Sequence, residues 1–147
     1  MEKVLFTIGY EGADSERFAA ALAGAGVATL ADVRAVALSR KRGFSKSALR
    51  DRLAEAGICY EHLRALGTPK AGREAARADD AALMRRIYCE EVLETGTGAQ
   101  ALDGLAALAA RAPTCLLCFE RDPERCHRRV LAERMAARGF RIVDLFA

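Results

Sequence analysis

The sequence predicts a single three-layer α/β domain, Rossmann-like, with about five mainly parallel strands. Short apolar runs bounded by glycine or proline alternate with longer segments in which apolar residues recur every three or four positions. The first strand–helix–strand unit takes about 30 residues, which is typical of a parallel, right-handed crossover. A length of 147 residues suits one domain, 1–147, and no internal repeat or linker divides it.

The N-terminal half is predicted to form three strands and two helices. Gly9 ends the first apolar run, and Asp14 or Ser15 provides a side-chain cap for the helix that follows. Ser45 provides the corresponding cap for the second helix. The predicted elements are a strand over 4–8, a helix through Ala25, a strand over 27–33, a helix from Ser45 to Gly57 and a short strand over 58–60.

The C-terminal half is predicted to form three helices and two strands. A nearly unbroken apolar run after Pro113 indicates a central strand that is buried on both faces. Asp122 and Pro123 together signal a helix start, with Asp as the N-cap and Pro at the first helical position. The predicted elements are a loop over 66–72, helices over 79–94 and 98–111, a strand over 114–119, a helix over 122–138 and a last strand over 140–146.

The composition is that of an ordinary folded protein. It has 23 basic and 20 acidic residues, so the formal net charge is +3 and any anion-binding site must be local. No apolar run approaches the roughly 20 residues of a membrane span. The N-terminal apolar run is too short for a secretory signal. We therefore expect a cytoplasmic protein that does not bind membranes and whose five cysteines are reduced, with no prediction of its oligomeric state.

Unusual polar residues follow three of the predicted strands. In a parallel sheet the carboxyl ends of the strands share one edge, and ligands of open α/β sheets bind there. We therefore expect these residues to lie close together. They are Gly9, Tyr10 and Glu11 after the first strand, Asp32 and Arg34 at the end of the second, and Cys118 and Glu120 at the end of the fourth.

The alternation of side chains along a strand separates two cysteines of the fourth strand. Cys115 and Cys118 are three positions apart, so their side chains point to opposite faces of the sheet. A four-ligand zinc site from Cys115, Cys118, Cys126 and His127 is therefore disfavoured. No metal or other cofactor is predicted. The cysteines interpreted as packing residues are Cys59, Cys89 and Cys115.

Cys126, His127 and Arg128 fall in the first turns of the helix predicted after the fourth strand. Unpaired N–H groups and the positive end of the helix favour anions there and would stabilise a thiolate. Glu120 could orient His127 or act as a general base. The alternative is that Cys126 packs inward, that His127 caps the helix or is solvated, and that the arginines form a solvated face.

The segment 34–52 is strongly basic, with seven lysines and arginines against one acid, Asp51. It is a candidate surface for phosphate or nucleic acid. A solvated loop and helix face would explain the same composition equally well. Arg34 is an exception, because it directly follows a strand and lies two residues after Asp32 on the same face.

The motifs occur in an order that resembles a known family. Residues 7–12, Asp32-Val33-Arg34 with Ser39-Arg40, and Cys118-Phe119-Glu120 leading to Cys126-His127-Arg128 occur in sequence. Over essentially the whole chain, this pattern resembles the bacterial domain-of-unknown-function family four-eight-eight. Leu66-Gly67 also resembles that family, although Thr68 replaces a glycine common there. The resemblance implies a compact α/β domain and no particular reaction. It points to Arg34, Glu120, Cys126, His127 and Arg128 as site residues.

Two functions are compatible with these residues. The favoured hypothesis is an enzyme, such as a hydrolase, that acts on a phosphate-bearing substrate, either a nucleotide or a nucleic-acid end. Its catalytic residues would be Cys118, Glu120, Cys126 and His127, and its substrate-binding residues Gly9, Tyr10, Glu11, Asp32, Arg34, Ser39, Arg40 and Arg128. The alternative is a non-catalytic module that binds nucleotide or nucleic acid through the segment 34–52. A metal or thiol-redox role for Cys118, Cys126 and His127 is less favoured.

Overall fold

A sheet of five strands lies at the centre of the protein in a computed structural model, which describes residues 2–147. The strands follow the spatial order β3-β2-β4-β1-β5, and each neighbouring pair is parallel. The α/β class predicted from the sequence is confirmed. The strands are β1 (Lys3–Gly9), β2 (Thr29–Asp32), β3 (Cys59–His62), β4 (Thr114–Cys118) and β5 (Phe140–Leu145).

Helices cover both faces of the sheet and make three layers. The helices on one face are α1 (Ser15–Gly24) and α2 (Lys46–Glu55), and those on the other side are α3 (Lys70–Arg77), α4 (Ala81–Tyr88), α5 (Gly96–Arg111) and α6 (His127–Ala136). Asp14 caps α1 as expected, by accepting a hydrogen bond from the Arg17 backbone (2.8 Å). None of the helices in the described range is long and apolar enough to cross a membrane.

The alternation along β4 divides the hydrophobic core into two halves. All five residues of β4 are buried. Cys115 and Leu117 pack with α1 and α2, whereas Leu116 packs with α5 and α6. Cys118 lies on the same side as Leu116, because its Sγ is 3.5 Å from His127 Nδ1 in α6. Cys115 and Cys118 therefore point to opposite faces, as the sequence predicts.

The strands β1 and β4 are neighbours whose connections leave in opposite directions. The chain passes from β1 through α1 to β2 on one side, and from β4 through α6 to β5 on the other. This arrangement is a topological switch point, at which a crevice opens beyond the carboxyl ends of the strands. The loops that follow β1, β2 and β4 meet at this edge.

The helix after β4 begins later than predicted. Asp122 accepts a hydrogen bond from the Glu124 backbone (3.0 Å), but it caps only a 3₁₀ turn, Pro123–Arg125. Cys126 then takes an extended backbone conformation (φ −129°), and α6 begins at His127. The prediction of one helix over 122–138 was wrong in this respect, because a single turn satisfies the local capping signal. The extended residue is 1% exposed, so it carries its thiol into the interior.

Helix α3 was not predicted, since most of its first turn was assigned to a loop over 66–72. Gly72 lies inside this helix and weakens the sequence signal, because glycine costs about 1 kcal/mol relative to alanine in a helix. Local packing explains the glycine: a Cβ there would lie 2.2 Å from Oγ1 of Thr68, four residues earlier. The helix predicted over 79–94 is α4 followed by a π-helical turn, Cys89–Leu93.

Candidate functional site

A cleft of about 380 Å³ opens at the carboxyl edge of the sheet, beside α3. Its volume is within the range of small-molecule sites. The strand ends and the loops after them contribute Tyr10, Glu11, Arg34, Ala35, Val36, Cys118, Phe119 and Glu120. The remainder of the wall comes from Thr68, Arg73, Ala76, Arg77, Met84, Arg125 and His127.

Backbone hydrogen bonds hold the loop after β4 against the loop after β1. The Tyr10 amide donates to the Cys118 carbonyl (3.3 Å), and the Glu11 amide donates to the Phe119 carbonyl (2.9 Å). The Glu11 carboxylate accepts a further bond from the Arg121 amide (3.0 Å). Glu120 therefore lies in a loop that is fixed on both sides, and its side chain lines the cleft.

Gly9 and Arg128 fix the same loop from behind the cleft. A Cβ on Gly9 would lie 1.8 Å from the Glu120 carbonyl oxygen, so only glycine allows the loop to approach β1 this closely. The Arg128 side chain is fully buried and donates to the carbonyl oxygens of Glu120 and Arg121. Neither residue lines the cleft. They position Glu120 through the backbone.

Arg34 and Asp32 form a buried ion pair beside the cleft. Arg34 Nε donates to Asp32 Oδ1 (2.9 Å) and Nη2 to Oδ2 (2.7 Å), while Nη1 donates to the Phe44 carbonyl (2.7 Å). The Tyr60 hydroxyl donates to the same carboxylate. Arg34 also lies over the Tyr10 ring, 5.3 Å from its centroid. Three of its five N–H groups are thus used within the protein.

The environment of this pair keeps both neighbours of Asp32 protonated. Burial alone would lower the pKa of Arg34, but the hydrogen bonds and the negative charge of Asp32 raise it above its ordinary value. Burial, followed by the interaction with Asp32, raises the pKa of Tyr60. Arg34 therefore stays charged and Tyr60 stays neutral over the physiological pH range.

Two thiols meet one imidazole nitrogen at the floor of the cleft. Cys118 Sγ lies 3.5 Å from His127 Nδ1, and Cys126 Sγ lies 3.9 Å from the same atom. His127 Nε2 is 2.8 Å from the Val33 carbonyl oxygen, which can only accept a hydrogen bond. Nε2 therefore carries the proton of the neutral ring, and Nδ1 presents its lone pair to the sulfurs. Glu120 Oε2 is 3.7 Å from Cys118 Sγ.

Burial acts differently on the two ionisable partners in this cluster. Burial and the neighbouring Cys118 raise the pKa of the Cys126 thiol well above its ordinary value. Burial would lower the pKa of His127, but Cys126 and the hydrogen bond to Val33 raise it. Cys126 is 1% exposed and does not line the cleft, whereas Cys118 is 7% exposed and does. A ligand in the cleft can therefore reach Cys118 and not Cys126.

Comparison with known proteins identifies the family. The model of the family described as "Domain of unknown function DUF488" matches residues 14–135 of the 147. The chain belongs to the DUF488 family. A search of curated proteins and a search of solved structures each return no match. The family predicted from the sequence is therefore confirmed, and the family description names no reaction.

The sequence-predicted site residues of this DUF488 chain divide between the cleft and its support. Those that line the cleft are Tyr10, Glu11, Arg34, Cys118, Glu120 and His127. Those that lie behind it are Gly9, Asp32, Cys126 and Arg128, all buried. Ser39 and Arg40 do not line the cleft: Ser39 accepts a hydrogen bond from the Lys41 amide within its own loop, and Arg40 is exposed.

Sequence reasoning missed the arginines of the cleft that come from outside the predicted motifs. They are Arg73 and Arg77 of α3, whereas Arg125 of the 3₁₀ turn, which also lines the cleft, belongs to the predicted motif after the fourth strand. Arg73 and Arg77 are four residues apart, so a helix places them on one face. Because α3 was not predicted, this spacing was not recognised as a signal. Phe119 and Val36 also line the cleft and are 45% and 49% exposed. No local pattern distinguishes these two apolar residues from ordinary loop residues.

Proposed function

We propose that the protein is a hydrolase of small phosphate-bearing molecules, with Glu120 as the general base. The observation that carries this proposal is the placement of the Glu120 carboxylate in an arginine-lined cleft at the switch point of the sheet. Its loop is held by the backbone bonds to Glu11 and by Arg128. A base held in this way can accept a proton from an attacking water without a large rearrangement.

The charge of the cleft supports an anionic substrate. Arg73 and Arg77 line it, together with Arg34 and Arg125, whose charges are paired with those of Asp32 and Asp79. The acids in the lining are Glu11 and Glu120. Guanidinium groups bind phosphate through paired hydrogen bonds, and several of them can surround the oxygens of one phosphoryl group.

The apolar part of the cleft supports a substrate that also has a planar or apolar group. Phe119 packs edge-on against Tyr10, with ring centroids 5.2 Å apart, and remains 45% exposed. Val36 and Met84 line the same cleft. A nucleotide combines a phosphate with a planar base and fits these two kinds of contact.

The reaction we propose is hydrolysis of a phosphate ester. A water oxygen forms the new bond to phosphorus while its proton passes to Glu120. The bond from phosphorus to the leaving oxygen breaks with its electron pair, and that oxygen takes a proton from Glu120 or from solvent. The products are inorganic phosphate and an alcohol, and the arginines stabilise the charge that develops on the phosphoryl oxygens.

Replacement of Glu120 tests this proposal. Wild-type protein and E120Q would be incubated with nucleoside monophosphates and with phosphate-terminated oligonucleotides, and released phosphate measured. We expect E120Q to lose about 10²–10⁴-fold in turnover while its circular dichroism and thermal midpoint stay close to wild type. Glu124→Gln is the matched control, since Glu124 is exposed in the same segment and lies outside the cleft.

Two results would contradict the proposal. Full activity of E120Q would remove Glu120 as the base. Binding of a nucleotide by wild-type protein without any turnover across the panel would favour the non-catalytic module instead. In that case the salt dependence of binding would report how many phosphates the arginines neutralise.

A further inference from the structure

The roles given above to Glu120 and the arginines do not account for the buried cluster of Cys118, Cys126 and His127. Its three potential ligand atoms, two Sγ and Nδ1, lie within 4.8 Å of one another. Cys118 reaches the cluster from the end of β4, Cys126 from the extended residue before α6, and His127 from the first position of α6. Two thiols directed at one ring nitrogen is the feature that needs an explanation.

The two sulfur–nitrogen separations match those between ligands of one zinc ion, and the two sulfurs lie within 4.8 Å of each other. With Zn–S bonds of about 2.3 Å and Zn–N bonds of about 2.0–2.1 Å at tetrahedral angles, a sulfur and a nitrogen ligand lie about 3.6 Å apart. The observed separations from His127 Nδ1 are 3.5 Å to Cys118 and 3.9 Å to Cys126. An ion could therefore enter between them with little movement of the side chains.

The orientation of His127 also matches that of a metal ligand. Ligating histidines almost always donate their second ring N–H to a carboxylate or a backbone carbonyl, which fixes the tautomer. His127 Nε2 makes such a bond, 2.8 Å to the Val33 carbonyl at the end of β2. The lone pair of Nδ1 is thereby directed to the two sulfurs.

We propose that Cys118, Cys126 and His127 bind one Zn²⁺ ion, with a fourth coordination position open to the cleft. Thiolate and imidazole ligands select zinc over magnesium and calcium. Three protein ligands with one open position are typical of catalytic zinc sites. Cys115 is excluded from the site, because it packs on the opposite face of the sheet. The proposal departs from the sequence-based expectation of no metal, which rested on a four-ligand set that included Cys115.

The assignment rests on the proposed function, because it names the cofactor of the same site. A bound zinc ion lowers the pKa of a coordinated water to about 7 and thus supplies a nucleophile for hydrolysis. Glu120 lies 3.7 Å from Cys118 Sγ, so its carboxylate is within reach of the open side of the cluster. Cys126 and the Nε2 bond of His127 hold the ligand set from the protein interior.

Metal content and cobalt spectra test the site without any measurement of turnover. Protein would be produced without a metal-affinity tag and kept reduced, and its zinc measured by elemental analysis. We expect about one Zn²⁺ per chain for wild type and at least about tenfold less for C126S. The control is Cys59→Ser, which changes an exposed cysteine outside the cluster and should keep the metal.

Cobalt keeps the test decisive if C126S fails to fold. Reduced wild-type protein, freed of metal with a chelator, would be titrated with Co²⁺ alone. We expect thiolate-to-cobalt charge-transfer bands that saturate at about one equivalent and are displaced by Zn²⁺. The proposal is overturned if wild type binds neither ion, or if folded C126S keeps wild-type zinc. Bound zinc without any turnover would support the metal site and contradict the proposed hydrolase. Turnover that E120Q abolishes, in protein that binds no zinc, would support the hydrolase and contradict the metal site.

Discussion

Gly9 shows how one backbone position limits the geometry of the cleft. We expect G9A to destabilise the protein by about 1–3 kcal/mol, because its Cβ would lie 1.8 Å from the Glu120 carbonyl oxygen and 2.4 Å from the carbonyl carbon. Both are backbone atoms, so the whole loop must move. Urea unfolding with circular dichroism measures the change.

Gly104 is the matched control for this prediction. It lies inside α5, and a methyl group at its Cα would meet no other atom within 4 Å. Alanine there should stabilise the protein by about 0.5–1 kcal/mol, because glycine is the weaker helix former. Equal effects of G9A and G104A on the free energy of unfolding would contradict the close approach of the two strand-end loops.

Arg34 is the second residue whose role can be isolated. We expect R34M to cost about 3–5 kcal/mol of unfolding free energy, because it leaves the fully buried carboxylate of Asp32 without its counter-charge. R34K should cost less but still destabilise, since an ammonium group cannot form the paired bonds to Asp32 and also reach the Phe44 carbonyl.

The control for Arg34 lies six residues along the chain. Arg40 is exposed, so R40M should stay within about 0.5 kcal/mol of wild type. The buried ion pair also limits how the basic segment 34–52 could bind nucleic acid. Arg34 is used by Asp32, so only the exposed residues of the segment are free for that role. If R34M were no more destabilising than R40M, the buried pair would not contribute to stability.

At the scale of elements, a salt bridge joins α4 to α6 beneath the cleft. Arg85 donates to both carboxylate oxygens of Glu133 (2.8 Å each), and Arg129 also approaches that carboxylate (3.5 Å). The hydrogen bonds from Arg85 lower the pKa of Glu133 below its ordinary value of 4.5. The stabilisation is therefore complete above pH 4.5 and is lost as the pH falls through the lowered pKa.

We expect E133Q to lose about 0.2–1 kcal/mol near neutral pH, because both partners are partly exposed and solvent screens the pair. The difference between wild type and E133Q should shrink as the pH is lowered into the acid range. Urea unfolding at pH 7 and at pH 3 measures it. A difference that grows toward low pH would mean that the carboxylate is destabilised, rather than stabilised, by its surroundings.

The start of α6 illustrates which part of an element the sequence specifies. Asp122 and Pro123 form a local capping signal, and a 3₁₀ turn is present there. Whether the turn continues as a helix depends on Cys126, whose extended backbone accompanies burial of its side chain beside His127. Such burial is a long-range effect, so no pattern within the segment reveals it.

For the whole molecule, the order of the strands places the candidate site. The parallel pairs and the switch point between β1 and β4 bring the loops after three strands to one edge. The sequence predicts this convergence, because short apolar runs alternate with helical segments and parallel strands end on the same side. It therefore names six of the residues that line the cleft, including Arg34, Cys118 and Glu120.

The sequence by itself determined the α/β class, the two faces of β4 and the edge at which polar residues collect. These follow from periods of two and 3.6 residues, which are local properties of the chain. Only the tertiary structure decided that Cys126 lies beside Cys118 and that Arg73 and Arg77 close the cleft. The first outcome depends on the extended backbone of Cys126 before α6, and the second on packing between segments far apart in sequence, and both override local helix and turn signals.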